Sequence, residues 1–159
     1  MISKLFLSVL DQLSYPNAHH IINLGGNIWL GNHISALDDD FLQKNQITTV
    51  INCSKKLPFS KLIQHRYRIP VDDDYTFSSV IELKKILPLI HKKITQHVIH
   101  KKENILIHCR AGVQRSATTV CYFLMKELKW TKEYAMYYIT SKRYIAFKPF
   151  VNFNLALDD

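Results

Sequence analysis

A cysteine and an arginine lie six positions apart in the sequence and bracket a short loop-forming stretch. Residues 108–116 read His-Cys-Arg-Ala-Gly-Val-Gln-Arg-Ser, with Cys109 and Arg115 at either side of the loop. If the backbone between them curls around a tetrahedral anion, its successive N–H groups point inward and form a phosphate cradle. The same field stabilises a thiolate, so Cys109 is predicted to be a nucleophile with a lowered pKa.

The neighbouring side chains have predicted parts in the same chemistry. The planar guanidinium of Arg115 can hold an oxyanion through two parallel hydrogen bonds, and the hydroxyl of Ser116 can donate to the sulfur of Cys109. Gly112 allows the tight path of the loop. His108 is expected to order the loop by hydrogen bonding rather than to act as a base. The predicted substrate-binding residues are Arg110, Ala111, Gly112, Val113, Gln114 and Arg115.

The loop lies between a predicted strand and a predicted helix. Asn104 to His108 is short and apolar, which predicts a buried strand, and Ser116 to Leu128 has helical character. The positive end of the helix dipole therefore faces the loop. Cys109 is expected at the carboxyl end of a strand, where sites form in α/β sheets.

Strand and helix patterns alternate along most of the chain. Further strands are predicted at Asn27 to Gly31, Thr48 to Cys53 and Arg66 to Val71. Helices are predicted at Ala36 to Lys44, from Phe77 to about His100 with a cap at Ser78 or Ser79 and a kink or break at Pro88, and from about Thr131 to Ser141 with Thr131 as the cap. The alternation predicts an α/β fold: a single domain with a central, largely parallel twisted sheet of about 4–5 strands flanked by helices.

The first 24 residues are predicted to stand apart from the domain, which then spans residues 25–159. Apolar residues recur at helical spacing over residues 2–13, which predicts an amphipathic helix that ends before Pro16. Its apolar face is expected to dock on the same domain or, as the second alternative, to form a homodimer. Membrane attachment is disfavoured because Lys4 is the only basic residue of this helix.

Composition favours a folded protein of a reducing compartment. The 159 residues are 47% hydrophobic and 11% aromatic, enough for one core. Cys53, Cys109 and Cys121 form no close pairs in the sequence, so no disulfide scaffold is indicated and a cytoplasmic location is expected. No membrane span is expected, because no stretch approaches about 18 uninterrupted apolar residues. The net charge of +8 favours anionic partners without choosing among them.

The loop sequence resembles the signature of protein tyrosine phosphatases. With Ala111 in the loop and Ser116-Ala117-Thr118 after it, it resembles especially the dual-specificity branch. Three segments look like parts of the same family: NIWLGN at Asn27 to Asn32, ITTVINCS at Ile47 to Ser54 and RIPVDDD at Arg68 to Asp74. The resemblance covers about residues 27–156. It implies hydrolysis of phosphate esters through a cysteinyl phosphate, without metal or cofactor.

The resemblance also implies a carboxylic acid that protonates the leaving oxygen. Asp72, Asp73 and Asp74 are the candidates. The acid of the family falls four positions after the isoleucine of the Ile-Pro-Val stretch, which selects Asp73. The spacing from this acid to the cysteine is longer than usual in the family, so Asp72 and Asp74 stay open at this point.

Two further expectations concern cysteine and metal chemistry. Some members of the family protect an oxidised nucleophile with a second cysteine near the position of Cys53, which suggests a Cys53–Cys109 disulfide under oxidation. Cys121 is expected to be a core thiol. No metal site is predicted, because the eight histidines are scattered or, like His19 and His20, lie in an expected loop.

The resemblance implies a phosphatase that acts on phosphotyrosine, phosphoserine and phosphothreonine in proteins, with phosphoproteins as partners and nucleic acid as no obligate partner. Alternatives are a phosphatidylglycerophosphate-type lipid phosphatase, an RNA 5′-triphosphatase and a phosphopeptide-binding pseudophosphatase. Against them, Val113 and Gln114 replace a basic lipid-binding residue, the loop lacks the His-Gly and Asn-Arg-Thr of triphosphatases, and Cys109 and Arg115 are intact. If the chain is viral, the virion or the host cell would be its location.

Overall fold

Five short segments pair into one sheet in the computed structural model, which describes residues 15–158. The strands are β1 Ala18–Asn23, β2 Asn27–Gly31, β3 Ile47–Asn52, β4 His65–Arg68 and β5 Asn104–His108. They lie in the order β1-β2-β5-β3-β4, in which β2, β5, β3 and β4 are parallel and β1 is antiparallel to β2. The predicted α/β fold with a largely parallel sheet is confirmed, and β5 occupies the centre of the sheet.

The central strand β5 is apolar on both of its faces. Ile105, Leu106 and Ile107 are fully buried, and they alternate between two core clusters. Ile105 and Ile107 belong to the larger cluster, whereas Leu106 belongs to the smaller one on the other face. A parallel strand that is covered on both sides needs apolar residues at successive positions, which explains the unbroken Ile-Leu-Ile run.

Helices cover both faces of the sheet. The larger cluster packs under α3 Phe77–Ile94, α4 Arg115–Leu128 and α5 Lys132–Lys142, and the smaller one packs under α1 His33–Ala36 and α2 Asp39–Lys44. A π-helical turn, Thr95–His100, continues α3, and a short 3-10 turn spans Asn154–Leu157. Within residues 15–158, no helix is long and apolar enough to cross a membrane.

Several predicted elements agree closely with the structure. Strands β2 and β5 have their predicted bounds, α4 begins one residue earlier than predicted, and Thr131 caps α5 through its side chain. Strand β4 ends at Arg68, before the predicted Val71, because Pro70 has no N–H with which to continue the ladder. The predicted helix at Ala36 to Lys44 is wrong in its bounds: Asn32 caps α1 and Asp38 caps α2, so two helices begin separately.

The cap and the proline of α3 also differ from the prediction. Thr76, rather than Ser78 or Ser79, is the cap, and its Oγ1 accepts a hydrogen bond of 3.2 Å from the backbone N–H of Ser79. Pro88 lies within α3 and does not divide it. Pro88 is exposed, so water can donate to the helix carbonyl that would otherwise accept from an N–H at this position.

Strand β1 has no regular pattern in the sequence, and the expected loop at His19 and His20 is wrong. Both histidines pair with β2, and a bulge between His20 and Ile22 interrupts the alternation of a regular strand. β1 lies within residues 1–24 but forms an edge of the same sheet. The predicted amphipathic helix over residues 2–13 lies outside the described residues, so a homodimer through this helix stays a prediction.

Candidate active site

The stretch from Cys109 to Ser116 joins the centre of the sheet to α4. Cys109 directly follows β5, and Arg115 is the first residue of α4. Because β5 lies between β2 and β3, the loop emerges between the carboxyl ends of both neighbours. Gly112 has a φ of +68°, and a Cβ there would fall against the backbone of Gly31. This close approach therefore requires a glycine.

All six carbonyl oxygens from Cys109 to Gln114 lie within hydrogen-bond distance of a donor that holds them outward. In loop order, the donors are the imidazole of His108, the backbone N–H and Nδ1 of His33, Nη2 and Nε of Arg143, and the backbone N–H groups of Phe147 and Thr118, at 2.8 to 3.1 Å. Peptides whose carbonyls are held outward leave their N–H groups on the inner side. The loop is therefore shaped as an anion cradle.

Arg143 positions this loop, and the sequence does not reveal it as a functional residue. Its side chain is 1% exposed and donates to the carbonyls of Ala111 and Gly112 and, on the far side, to the carbonyl of Pro16 and to Nδ1 of His19. Burial lowers the pKa of His19, as does the charge of Arg143, so the ring stays a neutral acceptor. The partners of Arg143 are mostly backbone carbonyls, which leave no pattern in a sequence.

The thiol of Cys109 is buried and surrounded by groups that favour its ionised form. Its Sγ lies 3.1 Å from Oγ of Ser116. Burial by itself raises the pKa of Cys109, but the hydrogen bond from Ser116, the positive charge of Arg115 and the N–H groups of Ser116 and Val113 outweigh it, and the pKa lies below its ordinary value. This environment agrees with the lowered pKa expected from the sequence.

Arg115 connects the cradle to the acidic segment. Its Nη1 donates to the carbonyl of Val71 at 2.9 Å. Its Nε is buried and has no hydrogen-bond partner among the described residues. Buried donors are rarely left unpaired, so this N–H is suited to bind an oxygen of an anion in the cradle. Because Val71 precedes Asp72, the same guanidinium also positions the candidate acids.

Asp74 is engaged in capping α3. Its carboxylate accepts hydrogen bonds of 2.7 and 2.8 Å from the hydroxyls of Thr76 and Ser79. The hydrogen bonds from Thr76 and Ser79 lower the pKa of Asp74 to about 2. A carboxyl group that holds its proton this weakly is a poor general acid near neutral pH.

Asp72 and Asp73 both line the cleft, but they have different partners. Asp72 forms a salt bridge of 2.8 Å with Lys55. Asp73 accepts a hydrogen bond of 3.1 Å from Nδ2 of Asn152. Asp73 is therefore the one of the three aspartates that faces the cleft without a lysine or a helix cap on its carboxylate.

The cleft above the loop has a volume of about 740 Å³ and a basic rim. It is lined by Cys109 and by five of the predicted substrate-binding residues, namely Arg110, Ala111, Val113, Gln114 and Arg115, together with residues 54–57, Asp72 and Asp73. Gly112 is not among the lining residues. Lys55, Lys56 and Arg110 give the rim its positive charge, which suits an anionic substrate.

The amide side chain of Gln114 binds the C-terminal segment. Its Nε2 donates to the carbonyls of Lys148 and Phe150, at 3.1 and 2.6 Å, and its Oε1 accepts from the backbone N–H of Asn152 at 3.0 Å. Asn152 in turn donates to Asp73. The loop and the candidate acid are thus joined through residues that lie far from both in the sequence.

The predicted ordering role of His108 stays a prediction, and its contact with the loop suits that role. Its Nδ1 lies 3.1 Å from the carbonyl oxygen of Cys109, and burial lowers its pKa to about 4. The ring is therefore neutral at pH 7 and can donate through Nδ1–H.

The three cysteines are free and buried. Cys53 follows β3, and its backbone N–H donates to the carbonyl of His108 at 2.7 Å. Burial raises the pKa of the Cys53 thiol, as does the neighbouring Cys109. The Cys53–Cys109 disulfide stays a prediction. Cys121 is a core thiol of α4, as expected.

Comparison with known proteins finds one matching family and several similar proteins. The family described as dual specificity phosphatase, catalytic domain, matches residues 28–157. Tyrosine-protein phosphatase vhp-1 of Caenorhabditis elegans is 31% identical over 134 residues, which cover 82% of this chain and 20% of that protein. Dual specificity protein phosphatase 16 of Homo sapiens is 31% identical over 121 residues, which cover 74% of this chain and 17% of that protein.

A solved structure agrees with this family match. The crystal structure of DUSP15 has a TM-score of 0.69 and 29% identity, and the alignment covers 87% of this chain and 85% of that chain. By contrast, the chain spans only about a fifth of the length of the two curated relatives above.

Replacing Ser116 with alanine is expected to raise the pKa of Cys109, because the thiolate loses the hydroxyl that donates to it. Hydrogen bonds to charged groups contribute about 1.5–3 kcal/mol, so alkylation of Cys109 by iodoacetamide at a pH below its pKa should slow roughly tenfold or more. Ser116→Thr retains a hydroxyl and serves as the control. An alkylation profile that does not change with Ser116→Ala would contradict this role of Ser116.

Acid is expected to destabilise the fold through His108. Its pKa is about 4 in the folded protein against an ordinary value of 6.5, so the unfolded chain binds the proton more tightly and stability is lost as the pH falls from about 6.5 to about 4. This corresponds to about 2 kcal/mol between pH 7 and pH 4.5. His108→Asn keeps a donor but does not titrate. Urea unfolding at both pH values should therefore show a smaller loss in this variant, and an equal loss would refute the assignment.

Proposed function

This chain belongs to the dual specificity phosphatase family, and we propose that it hydrolyses phosphotyrosine, phosphoserine and phosphothreonine in proteins. One observation carries the proposal. The six carbonyls from Cys109 to Gln114 are held outward around a buried cysteine of lowered pKa. This arrangement suits the binding of a dianionic phosphate next to a sulfur nucleophile.

In the first step, the thiolate of Cys109 attacks the phosphorus atom. A sulfur–phosphorus bond forms while the bond between phosphorus and the oxygen of the substrate side chain breaks. The N–H groups of the loop and the Nε–H of Arg115, which has no partner among residues 15–158, bind the remaining phosphate oxygens and stabilise their charge in the transition state. Asp73 gives its proton to the departing oxygen.

In the second step, water hydrolyses the cysteinyl phosphate. The carboxylate of Asp73 accepts a proton from the water molecule, whose oxygen attacks phosphorus as the sulfur–phosphorus bond breaks. Ser116 donates to the departing sulfur at the distance seen between Sγ and Oγ, 3.1 Å, and so makes the thiolate a better leaving group. Inorganic phosphate leaves, and both Cys109 and Asp73 are regenerated.

Asp73 is the proposed acid because the partners of its neighbours oppose this role. Lys55 occupies the carboxylate of Asp72 in a salt bridge of 2.8 Å, and the hydroxyls of Thr76 and Ser79 lower the pKa of Asp74. Asn152 donates a single hydrogen bond to Asp73, which orients the group without adding a positive charge.

The border of the cleft supports phosphoproteins as the substrate class. The lining residues include the short segment 54–57, which carries Lys55 and Lys56, and the pair Asp72 and Asp73. A cleft bordered by such short segments would admit the short phosphoserine side chain as well as phosphotyrosine, and its lysines would favour acidic residues near the phosphate.

The assignment of Cys109 and Asp73 is tested by phosphatase assays in chelator. Cys109→Ser should abolish turnover. Asp73→Asn should lower kcat on phosphotyrosine and phosphothreonine peptides about 100-fold or more, but should affect p-nitrophenyl phosphate less, because nitrophenolate leaves without a proton. Asp72→Asn is the matched control, and a larger loss in this variant than in Asp73→Asn would transfer the acid role to Asp72. Preferential turnover of phosphatidylglycerophosphate or triphosphate-ended RNA would overturn the protein substrate class.

Asn152 is expected to act through Asp73. Asn152→Ala should lower kcat on phosphotyrosine peptides roughly tenfold with little change in KM, because one hydrogen bond orients the acid. Asn154→Ala is the neighbouring control. In an Asp73→Asn background, Asn152→Ala should add no further loss, whereas additive losses would mean that Asn152 acts independently of Asp73.

A further inference from the structure

Three side chains with the chemistry of metal ligands meet at the amino edge of the sheet. His65 begins β4, Glu103 immediately precedes β5, and His97 lies in the π-helical turn Thr95–His100. One ligand atom of each residue lies within 4.8 Å of the other two. Nε2 of His65 is 3.9 Å from Oε2 of Glu103, and Nδ1 of His97 is 3.6 Å from Oε1 of Glu103.

One ring nitrogen of His97 is buried beside the carboxylate of Glu103. The side chain is 1% exposed, and its Nε2 lies 2.7 Å from the hydroxyl of Tyr67. Its Nδ1 has no hydrogen-bond partner among residues 15–158. The carboxylate of Glu103 at 3.6 Å is too distant for a good hydrogen bond. Buried polar atoms are rarely left in this state, so Nδ1 of His97 is suited to bind a ligand on the side of Glu103.

Neighbouring groups orient the ligand atoms. When Nε2–H of His97 donates to Tyr67, Nδ1 presents its lone pair toward Glu103, which is the form that a metal binds. Oε2 of Glu103 accepts a hydrogen bond of 3.0 Å from Oγ1 of Thr48. Outer partners of this kind hold metal ligands in place.

The backbone fixes the three residues relative to one another. The N–H of Glu103 donates to the carbonyl of His97 at 2.8 Å, which couples the π-helical turn to the start of β5. The N–H of Gln64 donates to the carbonyl of Thr48, which holds the residue before His65 against β3. π-Helical turns are rare and occur frequently at functional sites. The cluster therefore rests on rigid elements.

We propose that His65, His97 and Glu103 bind one Zn²⁺ ion, with water as the fourth ligand. Imidazole nitrogens select zinc over Mg²⁺ and Ca²⁺, which take oxygen ligands. With zinc–ligand bonds of about 2.0–2.1 Å, the donor atoms of a tetrahedral site lie roughly 3.3 Å apart. The donor atoms now lie within 4.8 Å of one another, so metal binding would draw them closer through rotation of the side chains. His65 and Glu103 are 37% and 23% exposed, so the ion can enter from solvent.

The site would stabilise the fold rather than take part in hydrolysis. It joins the edge strand β4 to the end of α3 and to the start of β5. Cys109 lies beyond the other end of β5, roughly 15–20 Å away at about 3.3 Å per residue. Zinc bound at this edge of the sheet is therefore outside the cleft of Cys109 and Asp73.

Calorimetric titration of the untagged, chelator-stripped chain with zinc tests the proposal. The protein carries Cys109→Ser, which removes the thiolate that would compete for zinc. One equivalent of zinc is expected to bind per chain. Zinc at roughly 100 times its Kd should raise Tm by about 5–10 °C. His65→Gln and Glu103→Gln should each weaken binding at least about tenfold and remove most of the Tm shift.

A matched variant separates this site from histidine chemistry elsewhere on the surface. His91 pairs with Glu127 at 3.0 Å in a second histidine–carboxylate contact, so His91→Gln should bind zinc as tightly as the parent. Glu103→Gln keeps an acceptor for Thr48, so it decides the outcome if His65→Gln fails to fold by circular dichroism. Absence of stoichiometric binding, or equal affinity in the parent and in Glu103→Gln, would overturn the proposal. Equal weakening by His91→Gln would also overturn it.

Discussion

Donors that hold the six carbonyl oxygens between Cys109 and Gln114 fix the shape of the loop on which the site depends. These donors come from separate parts of the chain: His33 from α1, Arg143 from the end of α5 and Phe147 from the segment after it. Arg143 is anchored in turn by His19 on β1. Strand β1, through His19 and Arg143, and the segment at Phe147 thus both help to turn the N–H groups of the loop inward.

The chemistry at Cys109 depends on a balance between burial and hydrogen bonding. A buried thiol ordinarily resists ionisation, as Cys53 and Cys121 do with their raised pKa values. At Cys109, the Ser116 hydroxyl, the Arg115 charge and inward N–H groups reverse this effect. The same Arg115 binds the carbonyl of Val71, so the group that stabilises the Cys109 thiolate also positions the segment that carries the candidate acids.

The two edges of the sheet carry different chemistry. Backbone N–H groups and a helix N-terminus at the carboxyl edge make an electropositive cradle for anions. At the amino edge, two imidazoles and a carboxylate offer lone pairs that suit a cation. Both groups of residues are tied to β5, since Cys109 follows this strand and Glu103 precedes it. A cation at the amino edge would fix the start of β5, the strand that Cys109, the proposed nucleophile, directly follows.

The sequence by itself determined the features that are formed by residues close together in the chain. Neighbouring residues are enough to predict the loop from Cys109 to Ser116, the strand and helix on either side of it, and the α/β alternation. This is because hydrophobic periodicity, and a loop made of consecutive residues, depend only on residues close together in the sequence. The resemblance to the family selected Asp73 but left Asp72 and Asp74 open. The tertiary structure added the different partners of Asp73 and Asp72, because Asn152 and Lys55 lie far from these aspartates in the chain.

Tertiary contacts also decided the roles of Arg143 and β1, as well as the meeting of His65, His97 and Glu103. These features depend on contacts between residues distant in the sequence, whose separation carries no periodic pattern. Only packing of the sheet and its helices brings such residues within bonding distance.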